Sequence, residues 1–135
     1  MRFNVRIPRY WRSKGFLYRL EGSRCVNCGE FHPFPRLICR KCRSRTLVVE
    51  RLPDRARLLE FTVVHQPPSL LENDLPYIVG LVEMQDGTKL LTQITDCDPE
   101  ELKPGIELEL TLRRLRTDGE SNIIEYGFKF RPATQ

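Results

Sequence analysis

Four of the chain's five cysteines fall within eighteen residues, as the pairs Cys25/Cys28 and Cys39/Cys42, with ten residues between the pairs. A C-x-x-C turn can place two thiolates on one cation, and two such turns complete a tetrahedral four-thiolate site. The competing readings need other signals. A redox C-x-x-C occurs singly, near a βαβ pattern, and none is seen here. A disulfide pair needs an oxidising compartment, for which nothing in the sequence speaks. Cys25, Cys28, Cys39 and Cys42 are therefore predicted metal ligands. Spacing does not choose between iron and zinc, and zinc is the default where no redox partner is evident. With four thiolates bound no coordination position stays open, so the metal is predicted to be structural and not catalytic. Arg24, Arg36, Arg40, Lys41, Arg43 and Arg45 surround the cysteines. Such cations are favourable beside four thiolates on a divalent ion, which carry roughly two surplus negative charges. His32, between the pairs, reads as a loop histidine, since four cysteines already suffice. Cys97 stands alone and reads as a free thiol.

The rest of the chain has to supply its own core. At 135 residues it is long enough for one compact domain with an accessory module. Pro8 suits the first turn of a helix, and a short helix is predicted over 9–14, ended by Gly15. Phe16, Tyr18 and Leu20 then alternate with Leu17, Arg19 and Glu21, which predicts a strand entering the cysteine segment. A further short strand is expected at 46–50.

From Arg57 the period is two. Leu59, Phe61 and Val63 share one face. A second strand over 77–85 puts Ile78, Val82 and Met84 together, and Asp86-Gly87 is a hairpin signal leading into a third over 89–95. Ile106, Leu108, Leu110 and Leu112 alternate with polar residues in a fourth strand. Ile124, Tyr126, Phe128 and Phe130 form the inward face of a fifth, where Gly127 signals a bulge or bend. Five short strands with no long helix predict a small closed barrel, for which the OB-fold is the commonest choice. The fold class is thus mainly β: an N-terminal helical segment over 1–15, a four-cysteine metal ribbon over 16–52 and a five-stranded OB-fold over 53–135.

Charge separates the two halves. Residues 1–57 carry 15 Lys+Arg against 4 Asp+Glu, and residues 58–135 carry 7 against 14, so halves of +11 and −7 hide inside a net charge of +4. A basic half of this kind suits nucleic acid, a phosphorylated cofactor or an acidic partner. There is no P-loop, G-x-G-x-x-G, G-x-S-x-G or H-E-x-x-H. His32 and His65 are the only histidines, and no set of residues assembles a nucleophile, a base and an oxyanion hole. A binding or scaffolding module is the better class. No apolar run reaches a membrane span, the basic N-terminus lacks a secretory h-region, and reduced thiols point to the cytoplasm.

The order of these parts is specific. The stretches PRYWR (8–12), YRLEGSRCVNCG (18–29), FPRLICRKC (34–42), LLEFTVVHQPP (58–68), PYIVGLVEMQDGTKLLTQITD (76–96), LKPGIELEL (102–110) and YGFKFRP (126–132) cover nearly the whole chain. Together they resemble the family of small acyl-CoA-associated OB-fold proteins with an N-terminal rubredoxin-like zinc ribbon. The resemblance implies a non-catalytic subunit that bridges a thiolase and a hydroxymethylglutaryl-CoA synthase of the mevalonate pathway. In that role it supports transfer of acetoacetyl-CoA and helps hold the CoA moiety; relatives also accompany aldolases and hydratases. CoA carries roughly four negative charges, which the basic half would receive. Arg36, between the knuckles, and Trp11 and Tyr10, in the helix, are the candidate contacts to CoA or to the partner. The loop over 66–77 is a candidate docking element. The alternative, a single-stranded nucleic-acid binder, is disfavoured because the barrel half is acidic and its aromatics fall on the apolar face.

Overall fold

The computed structural model describes residues 7–66, 76–117 and 123–134. The chain divides into two compact units, the first ending at Leu52 and the second beginning at Pro53.

The first unit opens with two short helices, α1 (Ile7–Arg12) and α2 (Lys14–Arg19), and continues into a three-stranded antiparallel sheet. Its strands are β1 (Glu21–Cys25), β2 (Phe31–His32) and β3 (Leu47–Arg51), in the order β2-β1-β3. The strand expected over 16–21 is a helix instead. Phe16 and Leu20 are both buried, and their spacing of four residues places them on one helical face as readily as alternation places them on one strand face. Gly15 does not end a helix but sits inside α2, where a Cβ would meet Oε2 of Glu21 at 2.4 Å. Leu20 ends α2 in the left-handed conformation, φ 52°, and its N–H donates to the carbonyls of Gly15 and Phe16. Burial of its side chain, worth about 1.5–3 kcal/mol, outweighs that backbone cost. The Leu20 carbonyl then accepts from Leu52 N–H at 3.2 Å, closing the unit.

The second unit is a closed barrel of five strands, β4 (Arg55–Val64), β5 (Tyr77–Met84), β6 (Lys89–Ile94), β7 (Glu107–Thr117) and β8 (Ile124–Pro132), in the order β4-β5-β6-β8-β7. All pairings are antiparallel except β6 with β8, joined in parallel at Ile94 and Phe130. This is the five-stranded OB-fold. Leu58, Val82, Leu108 and Phe130 are completely buried at its centre.

Two expectations for the barrel face are corrected. A bulge between Leu58 and Glu60 shifts the register of β4 against β5. The inward side chain is therefore Leu58, while Leu59 is half-buried. In β8 the inward run Ile124, Tyr126, Phe128, Phe130 holds only at its end: Phe130 is buried, whereas Ile124 and Tyr126 are exposed. The reason is topological. β4 reaches β7 only at 107–109 and β6 reaches β8 only at Phe130, so the distal β7–β8 ladder runs on past its barrel neighbours. In that stretch Glu125 is buried and ion-paired with Arg116. Gly127 is required by close approach, since a Cβ there would lie 2.5 Å from Cδ1 of Leu115.

Candidate metal centre

Two turns with the same hydrogen-bond pattern build the site. In the first, Cys25 N–H donates to the Glu30 carbonyl at 2.9 Å and Gly29 N–H donates to the Cys25 carbonyl at 2.9 Å. In the second, Cys39 N–H donates to the Ser44 carbonyl at 2.9 Å and Arg43 N–H donates to the Cys39 carbonyl at 3.1 Å. Both turns close through a left-handed residue at the fourth position after the first cysteine: Gly29, φ 74°, and Arg43, φ 60°. Only the first of these has the residue type that adopts this conformation without cost.

The turns bring all four sulfurs within 4.8 Å of one another. Across the turns, Cys25 and Cys42 are 3.4 Å apart and Cys28 and Cys39 3.5 Å. A tetrahedral ion with Zn–S bonds of about 2.3 Å sets its sulfurs roughly 3.8 Å apart, so the residues present fit the group. Cys25 and Cys39 are buried, Cys28 and Cys42 half-buried, and none is in a disulfide.

Backbone N–H groups are aimed at the sulfurs. Those of Cys42 and Lys41 hold the Cys39 thiol below its ordinary range. The Ser44 N–H, helped by the Asn27 side chain against burial, lowers Cys42 to about 6. For Cys28 the Glu30 N–H favours the thiolate, but burial and the three neighbouring sulfurs prevail and push it up to about 12. A cluster of four sulfurs without a cation keeps some of its protons, and a metal ion displaces them. Four thiolates fill a tetrahedral shell and leave no position for a substrate, so the ion that these residues hold is structural.

His32 is not a loop histidine. It lies on β2, only 5% exposed, paired across the ladder with Ser23, and its Nε2 is 3.3 Å from Sγ of Cys39. Toward a thiolate the ring acts as an N–H donor, the usual support for a metal ligand from its surroundings. The only signal for it in the sequence was a histidine beside Phe31 in a segment too short to show a strand period. Arg24 bridges the first metal turn and β3. Its guanidinium makes two bonds to Glu50, at 2.7 and 3.0 Å, and one to the Gly29 carbonyl at 2.9 Å.

The candidate contact residues all lie in this unit. The Arg36 backbone N–H donates to the buried Ser23 hydroxyl at 3.1 Å, while the side chain is exposed. Trp11 is 60% exposed, with Lys14 Nζ 4.1 Å from its ring centroid. Tyr10 packs edge-on against Tyr18, and their hydroxyls are 3.0 Å apart. Of the 66–77 loop, residues 67–75 lie outside the described residues.

The barrel offers no competing centre among the described residues. Its groove of about 540 Å³ is bordered by Arg55, Arg57, Glu83 and Glu107. These charges are already paired, Arg55 with Glu107 and Arg57 with Glu83. His65 is exposed just past β4. The Cys97 thiol is pushed up by burial and by the nearby Glu101, Asp96 and Asp98, the opposite of what a nucleophile needs. No described helix is long and apolar enough to cross a membrane.

Residues 17–48 match the rubredoxin-like zinc ribbon domain of ChsH2, and residues 49–113 match the ChsH2 C-terminal OB-fold domain. A DUF35 domain-containing scaffold protein of Methanothermobacter thermautotrophicus is 36% identical over 127 residues, covering 93% of this chain and 96% of the relative. A probable enoyl-CoA hydratase alpha subunit of Thermomonospora curvata is 27% identical over 101 residues, 75% of this chain but 31% of that longer protein. Among solved structures, the Ltp2-ChsH2(DUF35) aldolase aligns with a TM-score of 0.69 at 27% identity, over 99% of this chain and 100% of that one.

Proposed function

This chain belongs to the DUF35 scaffold-protein family, a zinc ribbon followed by an OB-fold, and from that premise we propose that it is a non-catalytic subunit of an acyl-CoA enzyme complex. The observation that carries the reading is the match, over nearly the full length of both chains, to a relative described as a scaffold protein. Two further matches agree with it: one relative is described as a hydratase subunit for an enoyl-CoA, and one solved structure as an aldolase assembly.

In this reading the chain bridges a thiolase and a hydroxymethylglutaryl-CoA synthase in the cytoplasm. The structural zinc keeps the ribbon folded, and the cations of that unit draw in the CoA phosphates. Arg36 is suited to phosphate because its backbone is anchored to Ser23 while its guanidinium is exposed. Trp11 supplies an exposed ring for adenine or for a partner surface. Tyr10, held by Tyr18, supports that helix.

The test is affinity capture with the full chain from its native source, with the partners identified by mass spectrometry. Recovery of a thiolase together with a synthase is the expected result. Recovery of an aldolase or a hydratase alone would move the chain to a different acyl-CoA complex, a second reading that the aldolase structure favours. Recovery of nucleic-acid machinery would overturn both.

A further inference from the structure

The segment between the two metal turns combines exposure with rigidity. Leu37 is 88% exposed, Phe34 56% and Ile38 47%, three large apolar side chains within five residues. Single exposed hydrophobes are ordinary on a protein surface, but a contiguous group is not. Surface loops that carry such residues are commonly mobile, yet this one is tied down along its length. His32 at its start is buried against Cys39. The Phe34 ring packs against buried Phe16, tilted by 41°, with centroids 4.2 Å apart. The Arg36 N–H is bonded to Ser23, and Ile38 precedes the ligand Cys39 directly. Pro33 and Pro35 restrict what freedom is left. The backbone is fixed from inside while the side chains at its crest point out.

We propose that Leu37 and Ile38 form a preorganised docking knob that seats in an apolar cleft bordered by carboxylates on the surface of the partner enzyme. This rests on the scaffold reading above and names the surface that the scaffold uses. Rigidity lowers the ordering cost of association, which is how two aliphatic anchors can dominate an interface. The carboxylate border follows from charge. Between Glu30 and Glu50 there is no acidic residue, while Arg36, Arg40, Lys41, Arg43 and Arg45 all fall in that interval. A second copy of the same knob would set these cations against each other. Nucleic acid would call for a series of free aromatic platforms, whereas the one exposed ring between the turns, Phe34, already lies against Phe16 and the crest itself is aliphatic. A membrane surface requires more buried apolar area than two side chains provide.

The test places a photo-crosslinking residue in the full metal-loaded chain, as Leu37→p-benzoylphenylalanine, with Leu91→p-benzoylphenylalanine as a control at an exposed barrel position. After irradiation in the native extract, the position-37 protein should form an adduct with the acyl-CoA enzyme that the unmodified chain captures. The linked peptide of that enzyme should carry apolar residues beside Asp or Glu. A Leu37→Asp/Ile38→Asp double variant, which alters no buried residue, should weaken capture at least about 100-fold while keeping a full metal complement and an unchanged unfolding temperature. Undiminished capture by the double variant overturns the proposal. So does an adduct only at position 91, an adduct with a second copy, or an adduct only with lipid or nucleic acid. Capture of the enzyme without a position-37 adduct sinks the knob alone, whereas capture of no acyl-CoA enzyme sinks the scaffold reading itself.

Discussion

Nε2 of His32 stands 3.3 Å from Sγ of Cys39, with the imidazole buried in the ribbon. With Nε2 protonated, the ring is a donor to a Cys39 thiolate, a sulfur that also receives the backbone N–H groups of Cys42 and Lys41, so one ligand is then held by three donors. His32→Phe keeps an aromatic ring and removes the donor. It should retain the metal but release it roughly 10-fold or more faster to a chromogenic chelator. Cobalt-substituted protein should show a shifted sulfur-to-metal charge-transfer band. Unchanged release and an unchanged spectrum would reduce His32 to packing.

Removing the metal should act on one unit only. The ribbon sheet is small, and four sulfurs at its centre need a cation to neutralise them. Exhaustive chelation should abolish amide-exchange protection in β1 and β3 while β5 and β7 keep theirs. If the ribbon amides stayed protected, the metal would not be structural.

Arg43 and Gly29 occupy equivalent positions in the two metal turns with φ of 60° and 74°. Arg43→Gly should stabilise the loaded protein by roughly 0.5–1 kcal/mol by removing left-handed strain. Gly29→Ala should destabilise it by about 1 kcal/mol. Nothing lies within 4 Å of a Cβ at position 29, so that cost is purely one of backbone conformation. Chemical denaturation of the loaded proteins decides both.

Gly80 leaves room inside the barrel for a neighbour. A Cβ there would be 2.4 Å from Cδ1 of Ile94 and 3.0 Å from Cδ1 of Leu58. Gly80→Ala should cost about 1–3 kcal/mol by overpacking. Ile94→Val in the same chain should recover part of the loss, and additive effects in the double-mutant cycle would contradict the contact.

Asp96 accepts from Arg113 at 2.5 Å, and this bond, against a smaller opposing effect of burial, holds its carboxyl below the usual range. A folded-state value below the unfolded one adds stability at neutral pH. That stability is lost as pH falls through the folded-state value, beneath the ordinary aspartate range near 3.9. Asp96→Asn keeps a residue tolerant of the left-handed φ of 60° found there. It should cost less than about 1 kcal/mol at pH 7, because the pair is solvent-screened. The difference should vanish in acid, and a penalty that persisted at pH 2 would point to another cause.

Most of the barrel was legible because alternation reports directly which side chains face inward, as it does for Ile78, Val82 and Met84 on β5. It failed where a bulge intervened, at Leu58 and Leu59, and where β8 outran its neighbours, at Ile124 and Tyr126. Neither a bulge nor the end of a pairing leaves a mark in the local hydrophobic period. The segment 16–20 misled for a related reason: over five residues, spacings of two and of four select overlapping sets.

By itself the sequence determined the ligand set and the architecture. C-x-x-C spacing is a local geometric constraint, and repeated two-residue alternation is a property of each strand alone. Only the tertiary structure decided what surrounds the metal. That His32 turns inward to Cys39, that Arg24 is taken up by Glu50 and that Leu37 stands clear of the surface depend on pairings between distant segments. Those pairings are settled when β2 and β3 close on β1, and no neighbouring residue encodes their outcome.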